Sequence, residues 1–284
     1  MISFLETYDM HTGQRDTVRM YSRIIEAPLW LPDGDTLLYS SLGRLWLYSI
    51  SRDEEHLLDT GSCRGCVNDY VLSRDGKTLY FNNIPLAPND WSSFIHVMPL
   101  DGSAPPRLLI PETPSYAHSI SPKGDLYFSG NRKNIRDEMD VFVLPADGGK
   151  EVLLTDGVGY NDAPDIMPDG SRIWFCSTRG GDGMQLWTMA PDGSDRQEIT
   201  HSDHDCWYPH ISPDGKTVIY LCVPRQEQIN NSELIHVEAS IRALSIADPA
   251  QDRELFRFNG GQCTINSSSW SPDSRFFAFV SYRE

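Results

Sequence analysis

One short phrase recurs six times along the 284 residues and limits the possible folds more than any other feature. It reads Pro32-Asp33-Gly34, Arg74-Asp75-Gly76, Pro122-Lys123-Gly124, Pro168-Asp169-Gly170, Pro213-Asp214-Gly215 and Pro272-Asp273-Ser274. Successive third positions lie 42, 48, 46, 45 and 59 residues apart. Proline pre-sets φ, the aspartate side chain bonds the following backbone, and glycine accepts a positive φ. The phrase is therefore a tight strand-to-strand turn. Aromatic-aliphatic stretches flank it, as in Leu29-Trp30-Leu31 before and Leu37-Leu38-Tyr39 after. A third apolar segment follows in each repeat (Leu45-Trp46-Leu47-Tyr48, Val141-Phe142-Val143-Leu144, Leu186-Trp187-Thr188-Met189), then a second turn and a fourth strand. No segment sustains a 3.6-residue stripe across these turns, which excludes a helical reading.

Four short antiparallel strands in about 45 residues make one propeller blade. The spacing predicts an all-β, six-bladed β-propeller as a single domain over residues 1–284. Its blades fall at about 22–62, 63–111, 112–156, 157–202, 203–260, and 261–284 together with 1–21. The last repeat holds only two strands after its start. Ile2-Ser3-Phe4-Leu5 and Thr17-Val18-Arg19-Met20 supply the missing pair, so the N-terminal strands are expected to close the sixth blade and remove an open sheet edge.

With its aromatic-aliphatic flanks, the recurring Ser-Pro-Asp-Gly phrase resembles that of the TolB-like (PD40, WD40-like) six-bladed β-propeller family, over essentially the whole chain. The resemblance implies the fold. It spans several activities, since similar blades occur in TolB, in oligogalacturonate lyases and in prolyl oligopeptidase-type peptidases. The sequence contains neither a G-x-S-x-G nucleophile elbow nor an H-x-H pair, the features expected of the peptidases and the lyases respectively.

Twenty-four basic against forty acidic residues give a formal charge of −16, which repels phosphate backbones, and no run of Lys or Arg offsets it. Nucleic acid is not an expected partner. No apolar run approaches the roughly 20 residues that span a bilayer, so no membrane partner is expected. The opening residues carry acids and no basic stretch, which predicts a cytoplasmic chain. Six cysteines without framework spacing agree with a reducing compartment.

The short, uniform Pro-Asp-Gly turns occupy one face of a propeller. The opposite face carries the irregular loops, where binding residues concentrate. Six positions before the first residue of each phrase stand Glu26, Asn68, Tyr116, Asp162, Trp207 and Asn266, expected to ring the mouth of the central channel. Polar groups and aromatics on a funnel suit a small ligand, above all a sugar. The segment from His201 to His210 offers His210 and His204 for acid–base work or for a divalent metal such as Mn²⁺ or Zn²⁺. His236 and Gln262 are candidate neighbours. Strand alternation would turn His210, Tyr208 and His204 the same way. Arg132, Arg136 and Arg179 could together bind a carboxylate. Cys63-Arg64-Gly65-Cys66 is a lone C-x-x-C without the second pair a structural zinc needs.

Three functions remain open. One is a binding module for a small carbohydrate-like or peptide ligand. The second is a lyase or hydrolase acting on a uronate-type sugar, with histidine as base and metal assistance as an option. The third is a protein-interaction platform.

Overall fold

Each of the six phrases forms the same turn, and the turns set the spacing of everything else. In the computed structural model, which describes residues 1–85, 92–132, 138–181, 183–225 and 237–283, the Gly34 N–H donates to Leu31 O at 3.1 Å. The Asp33 carboxylate accepts the N–H groups of Asp35 and Thr36 at 2.9 and 2.8 Å. The third residue is left-handed throughout: φ is 70° at Gly34 and 93° at Gly124. Ser274 reaches 62° without being glycine. Aspartate bonding its own turn leaves the strands on either side free to pair.

The described residues form two compact units, 1–116 with 262–284, and 117–261. In the first, blade 1 consists of Glu26–Trp30, Thr36–Ser41, Arg44–Ser49 and Glu54–Leu57. Blade 2 consists of Cys66–Leu72, Thr78–Asn83, Phe94–Pro99 and Arg107–Ile110. The closing blade joins the two ends of the chain. Ile2–Asp9 lies antiparallel between Arg15–Tyr21 and Phe276–Arg283, in register from Ile2 opposite Arg283 to Asp9 opposite Phe276. The expected closure by the N-terminal strands is what the chain does. Its innermost strand is reduced to one bridge, Trp270 to Phe277. The run Ser267-Ser268-Ser269 before that bridge favours local side-chain bonding over a ladder.

The second unit carries the other three blades. Blade 3 is Ser115–Ile120, Leu126–Asn131, Met139–Leu144 and Val152–Leu153. Blade 4 is Asn161–Ile166, Ile173–Ser177, Gln185–Met189 and Gln197–Glu198, and blade 5 is His204–Ile211, Thr217–Pro224, Val237–Ser245 and Asp252–Gly260. The fold is thus all-β with six blades, as the repeat predicts. Among the described residues the sole helical element is the short turn Gln262–Thr264, and no helix is long and apolar enough to cross a membrane.

Side chains from facing sheets fill the space between blades. Leu38, Leu45, Tyr70, Leu79 and Phe81 pack together between blades 1 and 2. Val141, Ile166, Ile173, Phe175 and Met189 do the same between blades 3 and 4. Each such side chain contributes roughly 1.5–3 kcal/mol by leaving water. The central strands are buried on both faces, as in Ile173–Ser177, which is why they read as unbroken apolar runs.

Candidate functional site

Three of the residues six positions before a turn, Glu26, Asp162 and Trp207, sit at a backbone irregularity. Strand register slips between Glu26 and Leu29, between Asp162 and Asp165, and between Trp207 and His210. The residue that follows is left-handed in each case, with φ of 50° at Ala27 and 52° at both Ala163 and Tyr208. Proline comes next in all three: Pro28, Pro164 and Pro209. A residue with a Cβ held at positive φ just before a proline is a strained arrangement, and a bulge there re-aims the preceding side chain.

In the second unit this geometry builds a cluster around Asp162. His118 Nε2 lies 3.4 Å from Asp162 Oδ1, and both residues are less than a tenth exposed. That nitrogen is buried without a well-formed hydrogen bond. Oδ1 also accepts the Ala163 N–H at 2.7 Å, while Oδ2 accepts the Tyr160 hydroxyl at 3.3 Å. The Tyr160 ring meets Trp207 edge-on at 6.2 Å, and Trp207 packs on Tyr208 at 5.8 Å. Burial pushes the Asp162 carboxyl up, but His118, Ser129 and the Ala163 N–H together outweigh it and hold the group below the usual carboxylate range. Cys176 beneath it is a buried thiol donating to Asp162 O.

The first unit holds a second cluster. Asn266 Nδ2 donates to Asn68 Oδ1 at 3.1 Å and to Asp69 Oδ1 at 2.9 Å. Asn68 Nδ2 approaches Cys263 Sγ at 3.3 Å, and Ser40 Oγ approaches Glu26 Oε2 at 3.3 Å. Burial raises the Glu26 carboxyl, with only Cys263 and Ser40 opposing it, and raises the Cys263 thiol well above its normal value. Asn266 Oδ1 is buried without a partner. Gln262 stands half-buried at the start of the adjoining turn, and Tyr116 is half-buried on the strand Ser115–Ile120.

The remaining sequence candidates lie elsewhere. Arg132 forms a two-pronged pair with Glu151 at 2.7 and 2.8 Å, and its guanidinium lies 4.9 Å over the Phe142 ring. Arg179 pairs with Asp156 at 3.0 Å over Trp187. Each arginine is held by an acid of its own neighbourhood. Arg136 and His236 are outside the described residues.

His210 and His204 are separated by the bulge, which breaks the alternation expected to align them. His210 is buried, whereas His204 is half-exposed, bonded to Asp203 at 2.6 Å, and lines a cavity of about 650 Å³. Arg242, Glu254 and Arg257 also line it. Among the described residues no three His, Cys, Asp or Glu side chains group as a metal set. Cys63 and Cys66 are buried, the latter thiol pushed up to about 11 by burial.

Sequence reasoning missed His118 and Asp69, although a signal existed. Four residues before each turn phrase the chain reads Pro28, Tyr70, His118, Pro164, Pro209 and Ser268. An imidazole where three repeats carry proline marks a position with another task. One residue earlier, Asp69 stands where Ala27, Ala117 and Ala163 stand in other repeats.

No family model matches the chain. It is 35% identical, over 99% of its own length and 93% of the relative's, to the uncharacterized protein Atu1656 of Agrobacterium fabrum. The solved structure of a TolB-like protein from Agrobacterium tumefaciens superposes with a TM-score of 0.91 at 34% identity, covering 100% of this chain and 99% of that one. TolB from Acinetobacter baumannii gives 0.65 at 16% identity, covering 100% of this chain and 64% of that one, a likeness of fold alone. With its six turn phrases, its six blades and these end-to-end relatives, the chain belongs to the TolB-like six-bladed β-propeller family.

Proposed function

We propose that the protein is a binding propeller that recognises a small polar ligand, of carbohydrate or short-peptide type, at the bulged inner-strand ends around Asp162. The supporting observation is the strained backbone at Ala163, which turns an ionised carboxylate toward His118 and Tyr160 and leaves His118 Nε2 without a proper partner. Strain and an unsatisfied buried polar atom in one place suit a site whose hydrogen bonds are completed by ligand. A carboxylate accepts sugar hydroxyls or a peptide N–H equally well.

A second reading rests on the 650 Å³ cavity beside His204. A lyase or hydrolase for an acidic sugar would use His204, oriented by Asp203, as base and the Arg242 or Arg257 guanidinium against the substrate carboxylate. Arg242 is already paired with Asp252 at 2.8 Å, and Arg257 with Glu254 at 2.9 Å. A substrate would have to compete for them, which makes binding at Asp162 the stronger reading.

The deciding experiment is a thermal-shift and calorimetric screen of uronates, neutral oligosaccharides and short peptides, with and without Mn²⁺. A ligand at 100 times its Kd adds about 2.7 kcal/mol of stability. Asp162→Asn is expected to abolish the shift and His204→Ala to leave it intact. The reverse pattern, accompanied by an unsaturated sugar product absorbing in the ultraviolet, would replace the binding reading with the enzymatic one.

A further inference from the structure

On the turn face, one seam between blades differs from three others. Where blade 2 meets blade 1, a Cβ on Gly76 would come within 2.4 Å of Pro32, so the turn of one blade sits on the proline of the preceding one. Gly170 meets Pro122 in the same way at 3.4 Å, and Gly215 meets Pro168 at 3.8 Å. By that rule Gly34 of blade 1 should sit on Pro272 of the closing blade. A Cβ there would meet nothing within 4 Å. The seam where the chain's two ends join is open, and a groove of about 480 Å³ occupies it.

The groove is lined by apolar and acidic side chains. Trp30 and Phe276, with ring centroids 6.2 Å apart, line it together with Val18 and Ile50. Asp33, Asp35 and Asp273 contribute three carboxylates, and no Lys or Arg is among the lining residues. Bonds from Ser49 and Ser51 lower Asp35, and bonds from Ser271 and Arg275 lower Asp273. At Asp33 burial is outweighed by bonds from Thr36 and Asp35. Arg52 and Arg275 act on Asp35 and Asp273 from outside the lining, and the Arg275 guanidinium itself pairs with Asp9 at 2.7 Å and covers Phe276 at 4.8 Å.

We propose that this open seam is a docking groove for a segment of a partner polypeptide that places an apolar side chain between Trp30 and Pro272 with a Lys or Arg beside it. Aromatic and proline walls suit an extended or proline-containing segment, whose stiffness lowers the ordering cost. Three carboxylates in a groove that no Lys or Arg lines favour a cation on the incoming chain. A second copy of this chain is the wrong occupant, since two surfaces of net charge −16 repel one another.

The test is selection of a phage-displayed random dodecapeptide library on the immobilised protein, followed by calorimetry with the enriched peptides. The expected result is enrichment of Lys or Arg next to an apolar residue, with binding that weakens at least tenfold between 25 and 500 mM salt. Val18→Trp, which fills the groove, should lower affinity at least tenfold with an unchanged melting temperature. Thr7→Lys, which places a cation in the groove, should do the same and serves if the first variant folds poorly. No enrichment, enrichment without basic residues, or full binding to a folded variant would overturn the proposal. So would sedimentation showing a dimer of the native protein that Val18→Trp dissociates.

Discussion

Asp162 and Glu26 occupy the same place in two blades, each just before a left-handed alanine and a proline, Asp162 buried and Glu26 half-buried. Their carboxyls are nevertheless driven in opposite directions. Asp162 has His118, Tyr160 and the Ala163 N–H around it and is held in the charged form. Glu26 has a serine hydroxyl and a thiol, too little to offset burial, and shifts toward the neutral acid. The bulge fixes where the carboxyl points, while the count and strength of donors fix its charge. The same scaffold position thus biases a carboxyl toward the anion in one unit and toward the neutral acid in the other.

The two clusters also differ in how the chain builds them, and the largest predicted effect follows from that. The Asp162 cluster comes from the continuous stretch 117–261, whereas the Glu26 cluster needs both ends of the chain. Deleting residues 1–14 removes the strand Ile2–Asp9 with the buried Phe4, Leu5 and Tyr8. Losing three core side chains costs on the order of 6–10 kcal/mol, comparable to the whole stability of a typical domain. The expected outcome is loss of the cooperative thermal transition. An unchanged melting temperature would show that the seam is dispensable.

Next in size is the contrast between the two carboxyls. Asp162→Ala removes the carboxylate beside His118 Nε2 and one of the two acceptors of the Ala163 N–H, which keeps Ser129 Oγ at 3.1 Å, and is expected to cost about 2 kcal/mol by urea denaturation. Glu26→Gln replaces a carboxyl already biased toward neutrality by its isostere and should cost less than about 1 kcal/mol. Equal effects would mean that the donor count does not set the charge.

The pH dependence sharpens the same point, with opposite signs. Asp162 has a depressed folded pKa, so its contribution is complete above the unfolded value, near 3.9. That contribution fades as pH falls through the folded value, because the unfolded chain then binds the extra proton. Glu26 has a raised folded pKa. In the window from the unfolded value, near 4.3, up to the folded one, the native state binds more protons and stability falls as pH rises. Stability measured against pH should therefore lose part of its acid limb in Asp162→Asn and part of its decline above pH 4.3 in Glu26→Gln.

The architecture was legible because it is local and repeated. The turn at Asp33 bonds residues two and three positions away, and the apolar runs between turns have nowhere else to go. The closing blade was legible for the complementary reason that two strands lacked partners at each end. The sites were harder to read. His118 meets Asp162 across 44 residues, and nothing in either segment alone predicts the pairing. The slip between Trp207 and His210 undid an alternation argument that assumed a regular strand, although Tyr208-Pro209 and Ala163-Pro164 were visible as a repeated pair before the turn phrase. Arg132 and Arg179 read as available cations because Glu151 and Asp156, the acids that hold them, follow in the sequence only 19 positions later and 23 positions earlier, on neighbouring segments.

The smallest predicted effect separates scaffold from site most cleanly. Ala27 and Ala163 share a left-handed backbone that costs an alanine about 1 kcal/mol and a glycine almost nothing. Replacement by glycine relieves that cost but widens the unfolded ensemble by about 0.4–1 kcal/mol and removes a buried methyl group. The terms nearly cancel, so both Ala27→Gly and Ala163→Gly should leave stability within about 1 kcal/mol of the native protein. Ligand binding need not follow stability. If the rigid bulge holds Asp162 in place for a ligand, Ala163→Gly should weaken the ligand found by the thermal-shift screen several-fold through a loosened carboxylate, while Ala27→Gly leaves its affinity unchanged. Equal affinity in both variants would assign the bulges to blade geometry alone.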